Sequence, residues 1–284
     1  TSYQRKQSDR IRKVIKKSLF AACGEGLFDN IIFWRVHMEI KKTGNPNGKS
    51  VMLLHGNLMC SKQFRELIPL LEKDCTVYAV SFDGFDGTGK TTYTTAEDQA
   101  EKLADYIEKN CGGRLDMLFA ESLGCGPAVV LSSMKRVKLE HMILGGPEYL
   151  DFGILNESLL KIMPQKQYKT AKEKTMPSWA LKFMGQTEEG FAKMMSCIPD
   201  NISLESIRAT WKVGLYLYRK DIPVQPDAKV ACWYGSKEGH MKKALEKLKA
   251  AYPKLTTYCF EGGHGEIINR PQELAYQLMK FMEQ

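Results

Sequence analysis

The chain has 284 residues, 43% of them hydrophobic and 26% charged, with a formal net charge of +8. That length can bury a sizeable core, as one large α/β domain or a core with an inserted smaller one, and no segment matches the run of about 20 apolar residues that spans a bilayer. The positive charge is scattered lysine rather than a basic tract interleaved with aromatics, which excludes nucleic acid as an expected partner. Eight cysteines without a CxxC or a finger-like histidine spacing exclude a zinc finger and fit buried thiols in a reducing, cytoplasmic setting.

The sequence opens at Thr1 rather than Met, which is compatible with a leader, tag or anchor removed upstream. Residues 1–29 read as a first unit: Arg5, Lys6, Arg10, Arg12, Lys13, Lys16 and Lys17 surround Ile11, Val14, Ile15 and Leu19 at helical spacing. A basic amphipathic helix of this kind packs on the body with a solvated cationic face, or makes weak contact with a membrane surface. β-Prone residues from Ile31 to Ile40, the Gly44-Asn45-Pro46-Asn47-Gly48 turn and the apolar run Val51 to Leu54 predict an opening β-meander. Strands and helices then alternate: a helix over 62–72, a strand over 75–80, a helix over 96–109 and a strand over 115–119. A helix after Gly124 and a strand over 139–144 follow. Short apolar strands alternating with helices imply an α/β fold, a mostly parallel sheet covered on both faces.

The alternation stops after Gly145-Gly146-Pro147 and resumes at Lys229, so residues 148–226 read as an inserted helical cap on a core formed by 30–147 and 227–284. The last cap helix has Ser203 as N-cap and Leu204, Ile207, Trp211, Leu215 and Tyr218 on one stripe. A strand over 229–234, a helix over 241–251, a strand over 255–260 and a helix with Pro271 in its first turn complete the chain.

Three places in this order carry chemistry. The strand Leu115 to Phe119 runs into Ala120-Glu121-Ser122-Leu123-Gly124 and then a helix, a sharp turn that presents Ser122 at a helix N-terminus. Small residues two places either side of the serine suit such a turn, though a serine among small residues is also ordinary turn chemistry. A histidine among three glycines, in Gly262-Gly263-His264-Gly265, follows the last strand and can swing over the sheet edge toward Ser122 as its base. Glu238, after the preceding strand, is the candidate acid to orient that ring; Asp227, Glu148 and Asp151 are its reserves. The amides of Leu123 and Asn57 are the candidate oxyanion donors, Asn57 following the strand that ends in His55-Gly56. His55 is read as a brace for that loop, not as the base.

With these residues in place the chain resembles the α/β-hydrolase superfamily, in the capped branch of esterases and lipases. The resemblance runs from about residue 30 to the end and rests on His55-Gly56-Asn57, the Asp-Gly-x-x-Gly turn at Asp83, the Ser122 turn, and the Gly235 to Glu238 and Gly262 to His264 segments. Two departures stand out: Ala120 where the pattern has Gly, and Glu238 where Asp is commoner.

The resemblance implies a serine carboxylesterase working through Ser122, His264 and Glu238 on a small-molecule ester, with no cofactor or metal. In the cap, Trp179, Phe183, Met184, Met194 and Trp211, with Met163, Met176, Phe191 and Met195, would roof an apolar pocket, although core packing explains many of them equally well. Two rival readings remain at this point. Gly84-Phe85-Asp86-Gly87-Thr88-Gly89-Lys90-Thr91 satisfies the P-loop pattern of a nucleotide hydrolase, but four residues separate it from the helix it should open. The fold also serves non-catalytic ligand-binding proteins.

Overall fold

The computed structural model describes residues 38–148, 152–175, 178, 181, 188–216 and 228–284. These hold β1 (Glu39–Gly44), β2 (Lys49–Leu54), α1 (Ile68–Leu71), β3 (Cys75–Ser81), α2 (Ala96–Asn110), β4 (Arg114–Glu121), α3 (Cys125–Ser133) and β5 (Lys138–Gly145). There follow α4 (Asn156–Glu173), α5 (Glu188–Met195), α6 (Leu204–Tyr216), β6 (Lys229–Gly235), α7 (Met241–Ala251), β7 (Thr256–Phe260) and α8 (Pro271–Met282). The expected N-terminal helix and the start of the 31–40 strand lie outside the described residues.

The strands form one sheet in the order β1-β3-β2-β4-β5-β6-β7, parallel except for β1. Strand side chains alternate between faces, and the apolar runs supply both. Val51, Leu53, Met117, Phe119, Ile143 and Trp233 pack on one face with Leu274, Leu278 and Phe281 of α8. Met52, Leu54, Leu118, Met142, Leu144 and Cys232 pack on the other with Leu103 and Ile107 of α2, Leu131 of α3 and Leu248 of α7. Burying each such side chain contributes about 1.5–3 kcal/mol.

Two expectations are corrected. The opening strands do not form a meander: β1 pairs antiparallel with β3, and β2 lies between β3 and β4. The connecting turn is tied to the start of β3, because the Asn45 amide donates to the carbonyls of Glu72 and Cys75, and a Cβ on Gly44 (φ +86°) would sit 2.3 Å from the Cys75 oxygen. The helix expected over 62–72 is a 3-10 turn at Ser61–Phe64 followed by the short α1, because Pro69 has no N–H to continue a helix from upstream.

Other local signals operate as read. Thr95 caps α2 by accepting from the Asp98 amide at 3.0 Å, and Ser203 accepts from the Ser206 amide ahead of α6. Ile207 and Leu215 are buried, while Tyr218 is outside the described residues. No helix among the described residues is long and apolar enough to cross a membrane.

The parallel strands end nearly level, with Leu54 opposite Ala120, Ala120 opposite Leu144, and Gly145 opposite Trp233. The loops at 55–57, 122, 146–148, 236–238 and 261–264 therefore gather along one carboxyl edge. The chain order reverses there between β2 and β4, where ligands bind in open α/β sheets.

Candidate active site

β4 ends at Glu121, and Ser122 adopts φ +51°, a left-handed conformation that an L-residue keeps only when its surroundings enforce it. The 3-10 turn Ser122–Gly124 leads directly into α3. Gly124 is required by packing: a Cβ there would lie 2.8 Å from Leu54 Cβ and 2.9 Å from the Leu54 carbonyl oxygen.

His264 and Glu238 arrive from the loops after β7 and β6. His264 Nε2 lies 2.9 Å from Ser122 Oγ and its Nδ1 2.7 Å from Glu238 Oε2, while Glu238 Oε1 accepts from the Gly235 amide at 2.7 Å. Burial raises the Glu238 carboxyl, but the His264 hydrogen bond and charge outweigh it and the net displacement is downward. Burial likewise lowers His264, yet its bond to Glu238 and the negative charge of Glu238, Glu121 and Glu148 raise it to about 9. Gly146 (φ +54°) makes room for the ring, since a Cβ there would fall 2.9 Å from His264 Cε1.

Two further carboxyl groups stand beside the serine. Ser122 Oγ donates to Glu148 Oε1 at 3.1 Å, so this reserve acid contacts the hydroxyl rather than the imidazole. The serine has one hydrogen for two acceptors: with His264 protonated, Nε2–H donates to Oγ and the hydroxyl donates to Glu148; with the ring neutral, Nε2 can accept. Glu121 is buried, and desolvation, opposed by His264 and reinforced by Glu238 and Glu148, lifts its carboxyl to about 8. Gly145 creates its space, because a Cβ there would lie 2.4 Å from Glu121 Oε2. Asp151 and Asp227 lie outside the described residues.

His55 is the brace expected of it. Nε2 accepts from the Phe82 amide at 3.0 Å, which leaves the hydrogen on Nδ1 to donate to the Gly56 carbonyl at 2.8 Å. Burial holds this ring neutral by lowering it to about 4. Gly56 donates to Gln63, and a Cβ on it would stand 3.5 Å from Ser122 Cβ, so this loop passes directly beside the serine. The Asn57 side chain accepts from the Leu58 amide (φ +67° at Leu58) and donates to Gln167 Oε1 at 3.3 Å. The same oxygen accepts from Trp211 Nε1 at 2.7 Å, so Gln167 of α4 ties α6 to the Asn57 loop. The sequence carried no signal for this link, since a glutamine on a mixed polar helix face is usually solvated.

A cavity of about 600 Å³ opens above these residues, with Asn57, Glu121, Ser122, Glu148 and His264 in its walls. Met163, Met194, Met195 and Trp211 supply apolar surface, and Arg65, Lys166 and Lys193 also line it. Met194 and Trp211 line the cavity, whereas Phe191 is buried in the core. Trp179, Phe183, Met184 and Met176 lie outside the described residues. Several polar groups of the segment Gly84 to Thr91 pair with one another. Asp86 accepts from the Thr88 amide and from the hydroxyls of Thr88 and Thr91, and Thr91 Oγ1 accepts from the Gly84 amide. A phosphate would find those donors occupied and a carboxylate among them.

The strand order and the loops gathered at its carboxyl edge define an α/β-hydrolase fold. The chain is similar to an α/β hydrolase family protein from Desulfitobacterium hafniense, with TM-score 0.73 and 20% identity over 85% of this chain and 99% of that one. It is also similar to carboxylesterase CesB from Bacillus subtilis (TM-score 0.63, 19% identity, 86% and 87% covered) and to epoxide hydrolase CorEH (0.63, 16%, 87% and 94%). No protein-family model matches the sequence, and no curated protein matches it. Likeness at this level of identity establishes the fold, which hosts more than one chemistry, so activity is argued from the site.

Proposed function

We propose that the chain is a serine hydrolase that cleaves carboxylic esters bearing apolar acyl groups, with residues 148–226 as a cap on a core of 30–147 and 227–284. The observation that supports this reading is the relay from Ser122 Oγ to His264 at 2.9 Å and on to Glu238 at 2.7 Å, in the wall of a largely apolar cavity. Ser122 attacks the acyl carbonyl as His264 Nε2 takes its proton, and Glu238 keeps the other ring hydrogen on Nδ1 and stabilises the imidazolium. The amides of Asn57 and Leu123 receive the oxyanion, the second with the help of the α3 dipole. His264 then protonates the departing alkoxide. A water deprotonated by the same ring attacks the acyl enzyme, and collapse of that intermediate releases the acid and restores Ser122.

Glu148 gives the resting hydroxyl an acceptor whenever His264 is protonated. It also places a negative charge beside the reaction centre, which disfavours acyl groups carrying a carboxylate near the scissile bond. The methionines of the cavity wall can repack around unbranched chains of different length. The test is a p-nitrophenyl ester series with wild type and Ser122→Ala. The expected outcome is turnover in the wild type that favours acyl chains of moderate length over short polar ones, reduced at least about 10⁴-fold in the variant. Faster turnover of short polar esters would overturn the apolar preference. Absence of wild-type turnover across the series would favour a binding protein on this scaffold.

A further inference from the structure

Glu238 faces a second imidazole. Its Oε2, hydrogen-bonded to His264 Nδ1 at 2.7 Å, lies 3.7 Å from His240 Nε2. The three ligand-capable atoms fall within 4.8 Å of one another. His240 has no part in the proposed chemistry and is not among the cavity-lining residues. It immediately precedes α7 with its side chain 38% exposed, so solvent reaches the cluster through it. The Glu148 carboxyl, bonded to Ser122 Oγ, also acts on His264.

We propose that Glu238, His240 and His264 form a binding site for a divalent transition-metal ion, and that the bound ion switches the hydrolase off. One carboxylate oxygen and two imidazole nitrogens are a donor set that zinc accepts readily, with water in the fourth position. Zinc–ligand bonds of about 2.0–2.2 Å in tetrahedral geometry place ligand atoms roughly 3.3 Å apart. The two separations from Glu238, 2.7 and 3.7 Å, bracket that value, the imidazole nitrogens lie within 4.8 Å of each other, and the partly exposed His240 ring can move to complete the set.

Inhibition follows from the tautomer. An ion on Nδ1 takes the lone pair of that nitrogen. A neutral ring then carries its hydrogen on Nε2, the atom that must accept the Ser122 proton; starting from the imidazolium, the Nδ1 proton goes to solvent. The Glu238–His264 hydrogen bond is lost in either case. Binding itself does not depend on the catalytic reading; the inhibition rests on it.

The experiment titrates Zn²⁺ by calorimetry into the tag-free full chain carrying Ser122→Ala, and into the same chain with His240→Ala added, in a non-coordinating buffer. One ion per chain is expected. Loss of an outer-shell partner alone weakens metal sites about 10–100-fold, so loss of the His240 ligand should weaken binding by at least that. In parallel, Zn²⁺ should abolish ester hydrolysis by the wild type and EDTA restore it, while His240→Ala retains its metal-free activity and resists the ion. His240→Asn, closer in size, repeats the comparison if the alanine variant folds poorly. Equal affinity with and without His240, as ligation by cysteine thiols would give, overturns the proposal, and so does the absence of binding. His240-dependent binding in a chain without esterase activity would uphold the site and overturn the catalytic reading.

Discussion

Glu121 offers the most quantitative check on the electrostatics of the site. Its carboxyl, buried beside Ser122, is lifted from the ordinary 4.5 to about 8, first by desolvation. Below pH 4.5 the carboxyl is protonated in the folded and unfolded chains alike and contributes nothing to the difference between them. Between 4.5 and 8 the unfolded chain releases the proton and the folded chain keeps it, so folding loses about 1.4 kcal/mol for each pH unit climbed. Above 8 both states are ionised and the loss is complete, at about 5 kcal/mol if the whole displacement counts. Glu121→Gln keeps the shape without the proton equilibrium. Its stability relative to wild type should be near parity at pH 4.5 and should grow to several kcal/mol in favour of the variant by pH 8. Urea melts of both proteins at half-unit steps from pH 4.5 to 8.5 measure this difference directly. A stability difference that stays flat with pH would refute the reasoning, as would one that favours wild type increasingly as pH rises.

Gly124→Ala sets a methyl group 2.8 Å from Leu54 Cβ and against the Leu54 carbonyl; such overpacking costs about 1–3 kcal/mol, and thermal unfolding should show a clear fall in Tm. Gln167→Leu removes the acceptor shared by Asn57 Nδ2 and Trp211 Nε1. Steady-state kinetics should show kcat falling about tenfold with a smaller change in KM, equivalent to about 1.4 kcal/mol of transition-state binding. Gln167→Glu, which keeps an acceptor, should restore most of it, and unchanged kcat in the leucine variant would detach the Asn57 loop from α4. Trp211→Ala strips one wall of the cavity. The kcat/KM of longer acyl esters should fall relative to acetate by about 10-fold or more, because apolar contacts of this kind are worth about 1–3 kcal/mol.

Much of this architecture was readable because its determinants are local. The runs that became β2 to β7 carry enough apolar residues to serve both faces of a buried sheet, and Thr95, Ser203 and Pro271 mark helix starts by their own backbone chemistry. The sequence order of Ser122, Glu238 and His264 anticipated that they meet, since each follows a strand whose end lies at one edge. Features made by distant segments meeting were not readable. The partner of β1 depends on where the turn at Asn45 docks, not on the composition of the strand. Gly146 looks like part of a loop until the His264 ring is found against it, and Gln167 until Asn57 and Trp211 are found on one of its oxygens. Glu148 was legible as an acid near the edge, but its contact with Ser122 is set by the path of the chain beyond β5.

The central claim, that Ser122 is a nucleophile activated by His264, is tested most directly by covalent labelling with a fluorophosphonate followed by mass spectrometry of the digested protein. One adduct per chain on the peptide containing Ser122 is predicted, lost in Ser122→Ala and strongly slowed in His264→Ala. Labelling that persists in Ser122→Ala, or a wild-type protein that resists the reagent, would contradict it.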